Sequence, residues 1–170
     1  MATAGPGGGG GAVAERWKAI YDAAGSGDDA GLIKLLKHKT ARVDFQQRFG
    51  DGDLTATPLT AAAHGGQIGC IQALLNAKAS LNLAASTGAT PLSLACQQGH
   101  PNAAELLIIK GADVDKPKAN GCTPLYMAAL HNQTDCVRLL LGAGAKVNEA
   151  AKEYTAESRA AVEVRVGATP

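Results

Sequence analysis

The triplet Thr-Pro-Leu stands at Thr57-Pro58-Leu59, Thr90-Pro91-Leu92 and Thr123-Pro124-Leu125, and both intervals, 57 to 90 and 90 to 123, are 33 residues. A fixed period of that length means units too small to bury their own apolar faces, so copies must stack side by side in an elongated solenoid. The period runs through whole units. A shift of 33 superposes Cys70, Ala103 and Cys136, then Leu74, Leu107 and Leu140, then Leu75, Ile108 and Leu141.

Each recurring residue has a local reason. Threonine before proline can cap a helix by accepting a backbone N–H, and proline at the first helical position has no N–H to leave unpaired. A helix is therefore predicted to begin at each of Pro58, Pro91 and Pro124. The small pairs Ala62-Ala63, Ala95-Cys96 and Ala128-Ala129 let that helix approach its neighbour closely. Gly66 and Gly99 mark its end, with Asn132 at the matching place because asparagine tolerates positive φ best after glycine. A second helix follows, with an apolar stripe at Cys70, Ile71, Leu74 and Leu75 and again at Cys136, Val137, Leu140 and Leu141. It stops at Gly111 and Gly144, whereas Lys78 holds that place in the earlier unit, where local strain or different capping is expected. Gly88 and Gly121, two residues before the next threonine, predict an extended turn or β-hairpin finger between units.

Helix, turn, helix and finger at this period resemble the ankyrin repeat family, and the resemblance covers roughly residues 17–148. It implies an all-α solenoid of helix-turn-helix units with β-hairpin fingers, about four repeats and a partial C-terminal cap. Repeats are expected at 51–83, 84–116 and 117–149, after a degenerate N-terminal capping repeat at 14–50. In that first unit Gly27, Leu35 and Leu36 align with Gly66, Leu74 and Leu75, Lys18-Ala19-Ile20 replaces the triplet, and Trp17 is expected in the core. Extra residues between Thr40 and Thr55 predict a longer first finger, where Phe45 and Phe49 either pin the loop to the repeats or anchor a partner.

At the ends the pattern fails. Residues 1–13 are glycine-rich and are expected to be a disordered tail, with neither a secretory signal nor a membrane span in the chain. One period beyond Thr123 stands Ala156 in place of threonine, so 150–170 reads as a partial cap or tail, either a truncated natural cap or the cut end of a longer polypeptide. Helix over Ser158–Val162 and strand through Val162, Val164 and Val166 both fit that segment.

Composition narrows function by exclusion. Sixteen basic against 15 acidic residues leave a net charge of +1, and aromatics make up 4%, so neither nucleic acid nor membrane insertion is expected. The cluster of Lys34, Lys37, His38, Lys39, Arg42 and Arg48 reads as a solvated cap face, the alternative being an acidic segment or phosphate bound there. Cys70, Cys96 and Cys136 align with alanines and read as apolar fillers in a reducing cytoplasmic or nuclear compartment, whereas Cys122 is expected to be exposed. Serines lack a nucleophile-elbow setting, and His64, His100 and His131 fall at repeat ends where capping explains them better than metal. No catalytic residue, metal or cofactor is expected.

What remains is surface recognition. In the family that these units resemble, partners contact the fingers and the exposed positions of the first helices. Carried over, that implies Asp53, Leu54 and Ala56, then Ser86, Thr87 and Ala89, then Ala119, Asn120 and Cys122 on the fingers. On the helices it implies His64 and Gly65, Gln97 and Gln98, and Leu130 and His131, with Tyr126 either a binding residue or a packed ring. The resemblance further implies that Asn82 and Asn148 are possible hydroxylation sites, although a structural hydrogen bond explains them as well. The histidine usual after Thr-Pro-Leu in the family is replaced by Thr60, Ser93 and Tyr126, and its hydrogen bonds between adjacent loops are expected from Thr60 and Ser93 in part. A monomer gripping a protein or peptide is expected, as a noncatalytic adaptor or scaffold. The alternative is the targeting part of a larger enzyme, such as a ubiquitin ligase or kinase.

Overall fold

Helices begin where threonine meets proline. In the computed structural model, which describes residues 10–38, 42–48 and 55–147, the hydroxyls of Thr57, Thr90 and Thr123 accept the backbone N–H of Thr60, Ser93 and Tyr126 at 3.1, 3.1 and 3.2 Å. These caps open α3 (Pro58–His64), α5 (Pro91–Gln98) and α7 (Pro124–Leu130). Each is followed by a second helix, α4 (Ile68–Asn76), α6 (Pro101–Ile109) and α8 (Thr134–Gly142). Ahead of them lie α1 (Gly10–Ser26), α2 (Asp29–Leu36) and a two-stranded antiparallel ribbon, β1 (Gln47–Arg48) with β2 (Thr55–Ala56), in which Gln47 faces Ala56.

Helix α1 corrects one expectation, since it starts at Gly10, inside the segment assigned to a disordered tail. Ile20, Ala23 and Ala24 are buried and hold this helix in place. Adding residues to an existing helix costs only propagation, so a turn can extend into sequence that would never nucleate one.

The helices form two layers. First helices α1, α3, α5 and α7 stack in order, and second helices α2, α4, α6 and α8 stack behind them. Small side chains allow the approach: Ala62, Ala63, Ala95, Cys96, Ala128 and Ala129 are all buried. Between the layers run Ile20, Leu32, Leu59, Ile71, Leu74, Leu92, Leu107, Leu125 and Leu140, one continuous apolar core shared by all units.

The ends of α3 through α8 repeat one device. The N–H of Gln67, His100 and Gln133 reaches back five residues to the carbonyl of Ala62, Ala95 and Ala128, at 2.9 Å in each case, around a left-handed residue. That residue is Gly66 (φ 67°), Gly99 (φ 76°) or Asn132 (φ 59°), as the sequence pattern predicts. The second helices close likewise, Ala79 to Leu74, Ala112 to Leu107 and Ala145 to Leu140, around Lys78 (φ 69°), Gly111 (φ 94°) and Gly144 (φ 84°). Lys78 therefore keeps the turn and bears the strain of a Cβ in left-handed backbone. Lys78→Gly should raise the urea unfolding midpoint, a gain of up to about 1 kcal/mol. An unchanged or lower midpoint would show that this turn stores no strain.

Side chains also lace the units together. Asp44 Oδ1 accepts the N–H of Ser80 at 2.8 Å, Asn82 Oδ1 that of Asp113 at 3.1 Å, and Asp115 Oδ1 that of Lys146 at 3.0 Å. At the fingers, Ser86 donates its N–H to the carbonyl of Thr55 at 3.0 Å, and Ala119 donates to that of Thr87 at 3.2 Å. Neighbouring fingers are thereby held in register.

Candidate functional site

Finger geometry decides which side chains face out. Ala85 and Lys118 donate their N–H to the carbonyls of Ala89 and Cys122, both at 2.9 Å, closing tight turns around Gly88 (φ 76°) and Gly121 (φ 82°). Ser86 and Thr87 are exposed on the first of these turns; on the second Ala119 is exposed and Asn120 is half-buried, as expected of finger tips. The residue that closes each turn points the other way. Ala89 is 2% exposed and Cys122 0%, so both leave the candidate face, and the expectation of an exposed Cys122 is corrected. The cause is alternation: once the tips face solvent, the residue entering the next cap must turn its side chain under the stack. Ala56, one period before Ala89, is half-buried at the edge of the same column.

The first helices present their own row. His64, Gln98, Leu130 and His131 are exposed, and Gly65 and Gln97 are half-buried. Gln97 Oε1 is enclosed and, among the described residues, meets no hydrogen-bond donor. Tyr126 is 2% exposed, which decides for the packed ring: it fills the slot that Thr60 and Ser93 occupy in the preceding repeats. Asp53, Leu54 and Asn148, along with Lys39 and Phe49, lie outside the described residues.

Two further expectations resolve differently. Thr60 and Ser93 bond within their own caps, donating their hydroxyls to the carbonyls of Thr57 and Thr90 at 2.7 and 2.9 Å, and so do not supply the bonds between loops. A short hydroxyl reaches only its own turn. Trp17 is half-buried instead of central, stacked on Phe45 with ring centres 5.9 Å apart and with the Arg42 guanidinium 5.7 Å above it. That contact pins the first finger and draws one cation of the basic cluster onto an aromatic face. Asn82, considered for hydroxylation, uses its Oδ1 in the bond to Asp113 and its carbonyl to accept from Lys116 Nζ at 3.1 Å.

The histidines are structural where bonds are seen. A ring nitrogen of His100 meets the carbonyl of His64 at 3.0 Å, and one of His131 meets that of Met127 at 2.9 Å. Among the described residues no group of three or more His, Cys, Asp or Glu side chains is placed to hold a metal ion. No described helix is long and apolar enough to cross a membrane.

Sequence reasoning missed a cavity on the same face. A hollow of about 300 Å³ opens between α1, α3 and α5, walled by Tyr21, Leu94 and His64 and floored by Gly25, Ala61 and Thr60, with Ala56 and Gly65 at its edge. It exists because small residues stand where neighbouring units carry large ones. Gly25 shares its column with His64, Gln97 and Leu130, and Ala61 shares its column with Leu94 and Met127. That departure from the period was the available signal.

Cys70 shows how the core treats a thiol. Its Sγ–H points to Asp29 Oδ1 at 3.0 Å, and burial, then the bond and the charge of Asp29, push the thiol up to about 12. Stability tied to the protonated thiol is fully present below about pH 9 and is lost as pH rises toward 12, because only the unfolded chain ionises there. Unfolding midpoints measured from pH 8 to 11 should fall more steeply for the wild type than for Cys70→Ala; parallel curves would contradict it.

Comparison with known proteins now bears on this arrangement. The family model described as "Ankyrin repeats (3 copies)" matches residues 20–118, 82–151 and 109–163. The chain belongs to the ankyrin repeat family. Ankyrin repeats are generally protein–protein interaction modules, and typically noncatalytic. A search among curated proteins finds no match. In this ankyrin array, four units of paired helices account for the described residues, and the first helices with the fingers form its candidate interaction face.

Proposed function

We propose that this ankyrin array is a noncatalytic adaptor or scaffold module that grips a protein or peptide on the face formed by its first helices and fingers. The hollow bounded by Tyr21, Ala61, His64 and Leu94 carries the reading. It is an apolar recess on an otherwise polar strip, the form in which one buried side chain of a partner contributes most of the binding energy. Exposed Ser86, Thr87, Gln98, Leu130 and His131 extend the strip along the stack. Their few charges favour a neutral protein or peptide surface over nucleic acid. Four cysteines present as free thiols agree with a reducing cytoplasm or nucleus.

Affinity capture from cell lysate, with captured proteins identified by mass spectrometry, tests it. Gly25→Ala/Ala61→Leu fills the hollow; a Cβ added at Gly25 alone meets Ala61 at an ordinary 3.7 Å, and circular dichroism checks that the double variant folds. A partner captured by the wild type should be lost with that variant and weakened with Gln97→Ala/Leu130→Ala/His131→Ala. Undiminished capture by both variants places the interaction elsewhere.

A further inference from the structure

Helix α4 carries small residues where the helices after it carry large ones. Ala73 stands one period before Leu106 and two before Leu139, and Gly69 and Ala77 flank it at intervals of four, on the same side of the helix. In the layer of second helices these three floor a groove of about 440 Å³, walled by Ile33 and Leu36 of α2 and ended by Lys37. Ile33 is 45% exposed, and Ile68, next to Gly69, is 41% exposed. We propose that this groove is a second docking site, which takes an acidic amphipathic helix of a protein partner.

Charge around the groove sets the partner's chemistry. The carboxylates of this corner are engaged within the chain: Asp28 accepts the N–H of Gly31 at 2.9 Å, Asp29 the thiol of Cys70 at 3.0 Å, and Asp44 the N–H of Ser80 at 2.8 Å. The lysines are not. Lys34 and Lys37 are exposed on and just after α2, and Ala77 leads from the groove into an adjoining hollow that Arg42 and Lys78 line. Among the described residues no carboxylate pairs with Lys34, Lys37 or Lys78. On α6, Glu105 and Lys110 stand one period beyond Gln72 and Ala77 and offset each other. The surplus at the Lys37 end is therefore positive, and an apolar segment bearing Asp or Glu complements it.

A helix suits the space. The furrow between two packed helices, here α2 and α4, receives the side-chain ridge of a third, and the small floor of Gly69, Ala73 and Ala77 lets that backbone come close. Apolar residues three or four apart on the partner fill the furrow between Ile33 and Ala73, and acids on its adjoining turn reach Lys37 and Lys78. At the later boundaries the large Leu106 and Leu139 occupy the column of Ala73. The groove shares no lining residue with the hollow of Tyr21, Ala61 and Leu94, so the two sites stand or fall separately.

Selection of random peptides displayed on phage against the full chain, followed by fluorescence anisotropy of the enriched sequences made as synthetic peptides, tests it. Sequences with apolar residues three or four apart beside Asp or Glu should be enriched, and they should gain helicity on binding by circular dichroism. Ala73→Leu plugs the groove with the residue that the array carries in that column at Leu106 and Leu139, and should weaken these peptides at least about tenfold. Lys37→Glu/Lys78→Gly leaves the groove open, its glycine suits the φ of 69°, and it should weaken them about three- to tenfold, most at low salt. Gln97→Ala/Leu130→Ala/His131→Ala should leave their affinity unchanged. Circular dichroism confirms that each variant folds. The proposal is overturned if no enriched peptide responds to Ala73→Leu, if the responsive ones are basic or uncharged, or if phosphatidylserine vesicles bind through these residues while no acidic peptide does.

Discussion

Replacing Leu107 with alanine is expected to lower the unfolding free energy by about 2–5 kcal/mol, the range for a buried leucine that leaves a cavity its neighbours only partly refill. Leu107 is 0% exposed on α6, and its carbonyl accepts the N–H of Ala112, so backbone shifts that would collapse the hole disturb the helix end as well. Its helix lies between α4 and α8. A defect there weakens interfaces on both sides, which in a one-dimensional stack is worse than a defect at an end. Urea denaturation followed by circular dichroism reads the loss directly. Ile109→Ala serves as the matched control: it is on the same helix but 72% exposed, and should stay within about 0.5 kcal/mol of the wild type. Equal melting of the two variants would place Leu107 outside the shared core.

The second large effect lies in a finger. Gly88→Ala is expected to cost about 2–4 kcal/mol, from left-handed backbone at φ 76° combined with overpacking. A Cβ at Gly88 would sit 2.3 Å from the backbone nitrogen of Ala119 in the next finger. A flexible side chain could swing aside, but this is main chain, and it is pinned because Ala119 donates to Thr87 while Lys118 donates to Cys122. Gly144→Ala isolates the conformational part. It shares the positive φ, at 84°, yet a Cβ there meets nothing within 4 Å among the described residues, so it should cost only about 1 kcal/mol. Thermal melts of the pair give the difference. If both fall equally, adjacent fingers do not touch as described.

Much of the scaffold was legible because repetition multiplies weak local signals. One Thr-Pro pair is a hint of a helix start; three at the same interval, each followed by a small pair and a left-handed residue, locate Pro58, Pro91 and Pro124 as first helical residues. Even the departures were informative, since Lys78 and Asn132 take the positive φ that glycine takes elsewhere in the pattern. The candidate face was less legible. Family likeness put Ala89 and Cys122 on it, but a difference of one residue in an extended finger reverses the direction of a side chain. Tyr126 could equally have been a ring for binding or packing until the depth of its slot was known. Phe45 found Trp17 through a loop whose length says nothing about where it lands.

By itself the sequence determined the period, the helix starts and stops and the columns of the core, because caps, turns and apolar stripes act within a few residues along the chain. Only the tertiary structure decided which small residues open a recess, where Gly25 and Ala61 line it together with Leu94, and which carboxylate the Cys70 thiol faces, that of Asp29. Those facts depend on the distance between units stacked in space, and residues far apart in the chain carry no local mark of the neighbours they will meet.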